Sequence, residues 1–145
     1  MGLFDAIGIA ASGLSAERIR MDVTSENLAN ADTTKAANGQ PYQRQDVVLA
    51  QSGTSAFGGV LAGAMQQEPA GGVKVSGIVA DNTPGQQIYD PGNPEANAKG
   101  YVTMPNVSTV TEMTDLISES QSYQSDVTAM QTAKSMFTAT LGVLK

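Results

Sequence analysis

The chain has 145 residues, a formal net charge of −6 and only 5% aromatic residues, so we expect a small core. The acidic balance argues against nucleic acid as a partner, because phosphate binding depends on clustered lysine and arginine. Cysteine and histidine are both absent, which removes disulfides, thiol chemistry, the commonest general base and the commonest transition-metal ligand. We therefore predict a non-enzymatic protein with no catalytic residue, no metal ion and no cofactor.

The N-terminus does not resemble a secretory signal peptide. Residues Met1–Asp5 contain no basic side chain, and Gly8 interrupts the apolar run Ala6–Ala11. No stretch approaches the apolar length needed to cross a bilayer, so we predict no membrane insertion. If the protein acts outside the cytosol, we expect export by a route that reads no cleaved signal.

Two rows of apolar residues predict an N-terminal helix within residues 1–30. Both rows have seven-residue spacing, but they lie about 200° apart around the helix, so the helix has two apolar faces. The first row consists of Ile7, Leu14, Met21 and Leu28. The second row consists of Ile9, Ala16 and Val23. We expect the first row to pack within the chain and the second to contact another subunit, and we expect Asn30 to cap the helix.

Residues 31–106 have a different composition. They contain all six prolines and eleven of the fifteen glycines, which excludes long helices. Clusters of β-branched and aromatic residues predict short strands between turns. The predicted strands cover residues 43–49, 73–79, 87–89 and 101–104. Residues 51–63, rich in glycine, serine and alanine, are predicted to form a mobile surface loop.

A second, longer helix is predicted over residues 107–145, where apolar residues recur at spacings of three and four. Thr109 and Glu112 match the S/T-x-x-E capping box at its start. The predicted apolar seam consists of Met113, Leu116, Tyr123, Val127, Met130, Phe137 and Leu141. A helix of roughly 50 Å needs a long partner, and only the N-terminal helix provides one. The predicted fold is mixed α and β, a coiled coil of both terminal helices with an inserted β-rich, loop-rich region.

Two simpler interpretations remain open from the residues alone. A self-contained two-helix hairpin would explain the seam, but it would leave the second face of the N-terminal helix exposed. The acidic turn Asp90–Glu95 offers oxygen ligands for a hard cation. Calcium loops supply six or more oxygens, and the two prolines of this turn supply none, so we interpret it as a turn only.

Several stretches carry a family resemblance that covers nearly the whole chain. Residues 25–34, with the sequence SENLANADTT, resemble the N-terminal signature of axial proteins of the bacterial flagellum, which form its rod, hook and hook-associated parts. Further matching stretches at 39–44, 71–75, 89–94 and 100–107 narrow the resemblance to the proximal rod proteins. The signature positions in this chain are Asn27, Leu28, Ala29, Asn30, Gly100, Tyr101, Pro105 and Asn106.

This resemblance implies a structural subunit of the periplasm-spanning rod, the drive shaft of the flagellar basal body. Its terminal helices would pair as an antiparallel coiled coil that lines the export channel. Its partners would be other copies of itself, adjacent proximal and distal rod proteins, and the flagellar type III export apparatus. The chain departs from the family pattern within residues 120–126, where a basic residue before Tyr123 and an asparagine in place of Asp126 are customary.

A different class of function is the alternative. A secreted coiled-coil translocator or effector that binds a host surface would also need two long terminal helices. Such a protein would be helical as an isolated monomer. A rod subunit would instead gain helical order as neighbouring subunits cover its apolar faces.

Overall fold

The computed structural model of the chain describes residues 3–36, 38–52 and 71–143. In chain order, its elements are α1 (Leu3–Ala29), β1 (Gln45–Ser52), β2 (Gly72–Ala80), β3 (Gln87–Tyr89), β4 (Tyr101–Thr103) and α2 (Thr109–Val143). Strands β1 and β2 pair in one sheet, and β3 and β4 in another. The predictions of two terminal helices, four strands and a mixed α and β fold are confirmed. The predicted loop at 51–63 lies outside the described residues from position 53 onward.

The chain divides into two compact units. Unit 1 comprises Met1–Ile19, Val48–Gly77 and Ser120–Lys145, and unit 2 comprises Arg20–Val47 and Ile78–Glu119. Both helices contribute to both units. The sequence-based division at residues 1–30, 31–106 and 107–145 stays a prediction.

The hydrophobic core is thin, as the composition predicts. Among the described residues its fully buried apolar side chains are small. They are Ala10, Ala16, Val23, Ala31, Val102 and Ala133. Burial of apolar area contributes about 25 cal/mol per Å², so alanine and valine supply little of it. Apolar packing alone therefore specifies the pairing and register of the two helices only weakly.

Helix α1 ends at the residue that the sequence identified. The amide nitrogen Nδ2 of Asn30 donates to the carbonyl oxygen of Glu26 at 3.0 Å, and the backbone N–H of Asn30 donates to the same oxygen at 3.1 Å. The Glu26 carbonyl thus accepts both the backbone and the side chain of Asn30, the residue that follows α1. The role of Asn30 as the cap of α1 stays a prediction.

Helix α2 begins differently from the prediction. The hydroxyl of Ser108 accepts the backbone N–H of Thr111 at 3.4 Å, so Ser108 occupies the capping position. The carboxylate of Glu112 turns away from the helix start and bonds to other parts of the chain. The predicted capping box of Thr109 and Glu112 is therefore wrong, because the Glu112 carboxylate bonds to Asn27 and Arg44 instead.

A tight antiparallel hairpin places β3 against β4. Ile88 faces Val102 and Tyr89 faces Tyr101, with the two tyrosine rings edge to face at 5.3 Å. Gly100 precedes β4 with φ of +80°, and a Cβ there would lie 2.8 Å from the Tyr89 ring. Only glycine adopts this positive φ without strain and leaves room for the Tyr89 ring, which gives the signature residue Gly100 a physical role.

The acidic turn forms local contacts. The Asp90 carboxylate accepts the backbone N–H of Gly92, the Asn93 side chain accepts that of Glu95, and the Glu95 carboxylate accepts the hydroxyl of Thr34. Within the described ranges, no three acidic side chains come together as metal ligands. These contacts fit an ordinary turn that is stabilised by its own side chains and bonded to Thr34 through Glu95.

Candidate functional site

The two most deeply buried large side chains of the described residues are polar. Asn27 on α1 and Glu112 on α2 are each 1% exposed. Apolar residues normally occupy such positions, and a buried carboxylate is costly unless it is paired and hydrogen-bonded. Both side chains lie in unit 2, where they bond to each other and to further polar groups.

The side chain of Asn27 makes four hydrogen bonds to three residues. Its Oδ1 accepts the hydroxyl of Tyr42 and the backbone N–H of Gln45, both at 2.9 Å. Its Nδ2 donates to the backbone carbonyl of Gln45 at 2.9 Å and to Oε2 of Glu112 at 3.1 Å. Asn27 thus holds the first residue of β1 by both backbone groups and reaches α2 as well.

The carboxylate of Glu112 is balanced by a cation. Its Oε1 accepts the guanidinium Nε of Arg44 at 2.5 Å, while Oε2 accepts Asn27. Glu112 also lies in the first turn of α2, where the helix dipole favours negative charge. The hydrogen bond to Glu112 raises the pKa of Arg44 further above its high ordinary value, so the guanidinium stays charged.

A second asparagine fixes the backbone from which the Arg44 side chain extends. Oδ1 of Asn106 accepts the backbone N–H of Arg44 at 2.8 Å, and Nδ2 donates to the carbonyl of Asp81 at 3.0 Å. The N–H of Asp81 in turn donates to the carbonyl of Arg44 at 2.7 Å. We call the set Asn27, Arg44, Asn106 and Glu112 the polar joint. It connects α1, the start of β1 and the start of α2.

Arg44 has weaker contacts on its outer side. Its Nη1 lies 2.6 Å and 2.7 Å from the two carboxylate oxygens of Asp46, and Nη2 lies 3.8 Å from Asp115. The side chains of Asp46 and Asp115 are 54% and 43% exposed. Exposed ion pairs contribute little to stability, so the buried pair with Glu112 is the energetically important contact of Arg44.

A second buried carboxylate joins the helices one heptad further along α2. Oε1 of Glu119, whose side chain is 5% exposed, accepts the hydroxyl of Thr24 at 3.2 Å and lies 3.4 Å from Nε of Arg20. Glu112 and Glu119 are seven residues apart, as are Arg20 and Asn27. Acidic and polar side chains therefore occupy positions on these helices where a coiled coil usually has apolar ones.

Unit 1 has a close helix contact of its own. The Asp126 carboxylate lies over Gly13, where a Cβ would come within 2.6 Å of Oδ2. Asp126 is again seven residues beyond Glu119, and Gly13 seven before Arg20. This is the position where the family pattern has asparagine, and the acidic side chain here fills the space that glycine leaves open.

Four of the predicted interface residues lie on a different side of their helix from the one predicted. Ala16 and Val23, predicted to contact another subunit, are 3% and 6% exposed and covered by their own chain, so that prediction is wrong. Met113 and Leu141, predicted to lie in the seam, are 54% and 48% exposed, and that prediction is also wrong. The inward row of α2 begins at Glu112, and a shift of one residue rotates a side chain by about 100°.

The remaining predicted interface residues are half-buried, and their roles stay predictions. On α1 these are Ile7, Ile9, Leu14, Met21 and Leu28. On α2 these are Leu116, Tyr123, Val127, Met130 and Phe137. The α2 set includes a row of seven-residue spacing from Leu116 to Phe137, which flanks the inward acidic row.

The polar joint has little room for a small molecule. The cavity beside it measures about 90 Å³ and is lined by Arg20, Thr24, Asn27, Arg44 and Glu119 among others. Ligand pockets usually measure about 300–1,000 Å³. The donors and acceptors described above bond to one another, so the site is built to hold chain segments together.

Tyr42 makes the joint sensitive to high pH. Burial raises the pKa of the Tyr42 phenol above its ordinary 10.0, and the carboxylates of Glu26 and Glu112 act in the same direction. The unfolded chain then ionises first. The stability that Tyr42 contributes is present below pH 10.0 and lost as pH rises through the higher folded value.

We expect Tyr42→Phe to lower the free energy of unfolding by about 1 kcal/mol at neutral pH, because one hydrogen bond to Asn27 is lost. The difference between wild type and variant should shrink as pH rises above 10.0. Urea titrations of both proteins at increasing pH measure this difference in the free energy of unfolding. The other tyrosines are present in both proteins, so their ionisation cancels in the difference. A difference that is constant with pH would contradict this account.

Both ends of the chain match family models. The model described as "Flagella basal body rod protein" matches residues 7–36, and the model described as "Flagellar basal body rod FlgEFG protein C-terminal" matches residues 98–143. These segments include Asn27, Asn106 and Glu112 of the polar joint. The helices and the joint are thus those of a flagellar rod protein.

Curated relatives narrow the family further. The flagellar basal-body rod protein FlgC of Bacillus subtilis is 44% identical, with 100% of both chains covered. The FlgC proteins of Borreliella burgdorferi and Escherichia coli O6:H1 are 38% and 41% identical, over 100% and 97% of this chain and 99% and 97% of their own. This chain belongs to the FlgC family of flagellar basal-body rod proteins.

Proposed function

We propose that this chain is a structural subunit of the flagellar basal-body rod and assembles with copies of itself and with adjacent rod proteins. In this role it transmits torque and lines the export channel, and it carries out no catalysis. The polar joint is the observation that carries the proposal. It is a buried, mutually satisfied set of contacts between both terminal helices and the inserted region, in a chain of the FlgC family.

Pairing of the terminal helices as an antiparallel coiled coil is part of the proposal. In unit 2, Thr24 contacts Glu119 and Asn27 contacts Glu112, so residue numbers rise along α1 as they fall along α2. Heptad-spaced contacts of this kind fit knob-into-hole packing with polar residues that fix the register. Apolar side chains of the flanking rows would complete the interface.

The chemistry of the joint suits a part that bears load. Hydrogen bonds to charged groups are roughly twice as strong as neutral ones, and fully satisfied buried networks hold a single arrangement. A force on α1 or α2 reaches the start of β1 through Asn27, Arg44 and Glu112. The inserted region would therefore turn together with the helices instead of lagging behind them.

The proposed location is the basal-body rod across the periplasm, reached through the flagellar type III export apparatus without a cleaved signal. In the described part of the chain, neither helix is long and apolar enough to span a membrane. The thin core supports this route, because helices with little apolar area of their own gain order when neighbouring subunits cover them.

Complementation tests the proposal. A flagellated strain that lacks its own FlgC should regain swimming when it expresses this chain, and purified basal bodies should contain the chain. The double variant Asn27→Leu/Glu112→Leu, which breaks the joint, should fail on both counts at equal expression. Swimming without the chain in the basal body, or with the joint broken, would contradict the proposal.

A further inference from the structure

The sequence contains one asparagine that is followed by glycine, the pair Asn38–Gly39. Both residues are exposed, and they lie in unit 2 between α1 and β1. Gly39 has φ of +78°, a conformation that suits glycine, and the space where a Cβ would lie is open. Asparagine is among the chemically labile residues of proteins. No side chain at position 39 shields the main-chain nitrogen that follows Asn38.

The side-chain amide of Asn38 is folded back toward this nitrogen. Its Oδ1 accepts the backbone N–H of Gln40 at 3.0 Å, and the ring that this bond closes includes both Cγ of Asn38 and the nitrogen of Gly39. Attack of a nucleophile on Cγ moves negative charge onto Oδ1. A backbone N–H that already points at this oxygen stabilises that charge, as the donors of an oxyanion hole do.

One contact opposes attack by the Gly39 nitrogen. Its N–H donates to the carbonyl of Ala36 at 2.8 Å, and this bond has to open before the nitrogen can react. Hydrogen bonds in exposed connecting segments open at little cost in free energy. Because the two reacting groups belong to neighbouring residues, the reaction keeps the high effective concentration of an intramolecular step.

We propose that Asn38 is a site of spontaneous modification, at which the side-chain amide is lost through a cyclic imide. The Gly39 nitrogen bonds to Cγ of Asn38, and its proton goes to the amide nitrogen, which leaves as ammonia. Water then opens the imide at one of its two carbonyl carbons. Opening at Cγ gives aspartate, whereas opening at the main-chain carbonyl gives isoaspartate. Either product adds one negative charge to the −6 of the chain.

Isoaspartate changes the length of a segment that leads into the polar joint. It routes the main chain through the side-chain carbon, so the chain becomes one carbon longer at position 38. A backbone bond encloses this position, because the N–H of Tyr42 donates to the carbonyl of Thr33 at 3.0 Å. The hydroxyl of Tyr42 in turn donates to Asn27. The added length disturbs this closure, so the modified chain is less stable.

Ageing of the purified full-length chain tests the site. The chain is incubated at neutral and at mildly alkaline pH, and mass spectrometry of its peptides separates the aspartyl from the isoaspartyl form. We expect isoaspartate at position 38, formed faster at the higher pH because the attacking nitrogen must lose its proton. Asn82 is the matched control, since it is also exposed but is followed by Thr83. The β-branched neighbour hinders attack, and we expect conversion at Asn82 to be slower by at least about tenfold.

The variant Asn38→Gln measures the effect of the modification on stability. Its side chain is one methylene longer and closes a cyclic imide far more slowly. Before ageing, its midpoint of urea denaturation should equal that of the wild type, because position 38 is exposed. After ageing, the midpoint of the wild type should fall further than that of the variant.

Equal conversion at positions 38 and 82, or aspartate without isoaspartate at position 38, would overturn the proposed modification. Isoaspartate at position 38 with equal midpoints for the aged wild type and the aged variant would overturn its link to Tyr42. The reaction needs no second protein, so these results are independent of assembly into the rod.

Discussion

Replacement of Asn27 by leucine is expected to lower the free energy of unfolding by about 4 kcal/mol. Leucine has a similar volume but no polar atom, so Glu112, Tyr42 and both backbone groups of Gln45 each lose a partner. A buried group left without its hydrogen bond costs about 1–3 kcal/mol. Small domains have only about 5–15 kcal/mol in total. Urea denaturation followed by circular dichroism measures the loss.

Asn82→Leu is the matched control. Asn82 is exposed, and the same exchange there should change stability by less than about 0.5 kcal/mol. Asn27→Leu should also fail to support swimming, whereas Asn82→Leu should swim normally. If the two variants had equal stability, the joint would not be what holds α1 to β1.

Removal of the buried negative charge is expected to lower the free energy of unfolding by a similar amount. Glu112→Leu leaves the Arg44 guanidinium without its closest partner, and breaking one side of a buried pair costs about 3–5 kcal/mol. Arg44→Met in the same chain removes the stranded cation. The double variant should therefore be more stable than the sum of the single losses predicts, by about 1–3 kcal/mol. A double-mutant cycle in urea gives this coupling.

Asp46→Asn is the control within the same network. Its carboxylate also touches Arg44, but the side chain is 54% exposed, so water and salt screen the pair. We expect a loss of at most about 1 kcal/mol, which added salt reduces further. A loss as large as that of Glu112→Leu would mean that burial does not set the strength of these pairs.

The secondary structure could be predicted because its signals are local. Apolar periodicity marks both helices, and Asn30 marks the end of α1. Clusters such as Val73–Val79 and Tyr101–Met104 mark the strands between glycine and proline residues. The start of α2 was assigned to the wrong capping residue, because Thr109 fits the capping pattern as well as Ser108 does until the direction of Glu112 is known.

The polar joint could not be predicted from periodicity, because its members do not look like core residues. A search for apolar rows finds Met113 and passes over Glu112 one position before it. The one available signal was the seven-residue spacing of Glu112, Glu119 and Asp126, opposite the equally spaced Asn27, Arg20 and Gly13. That spacing indicates a contact only when the two rows, one on each helix, are compared with each other. Burial then shows which row faces inward.

The joint also sets an order of events during synthesis. Asn27 and Glu112 are 85 residues apart in the chain, so the asparagine is made long before its carboxylate partner leaves the ribosome. Contacts between distant residues form late and slowly compared with local ones. Until position 112 emerges, α1 lacks the link that fixes it to α2. The contact that joins the two helices therefore forms only after position 112 has been made.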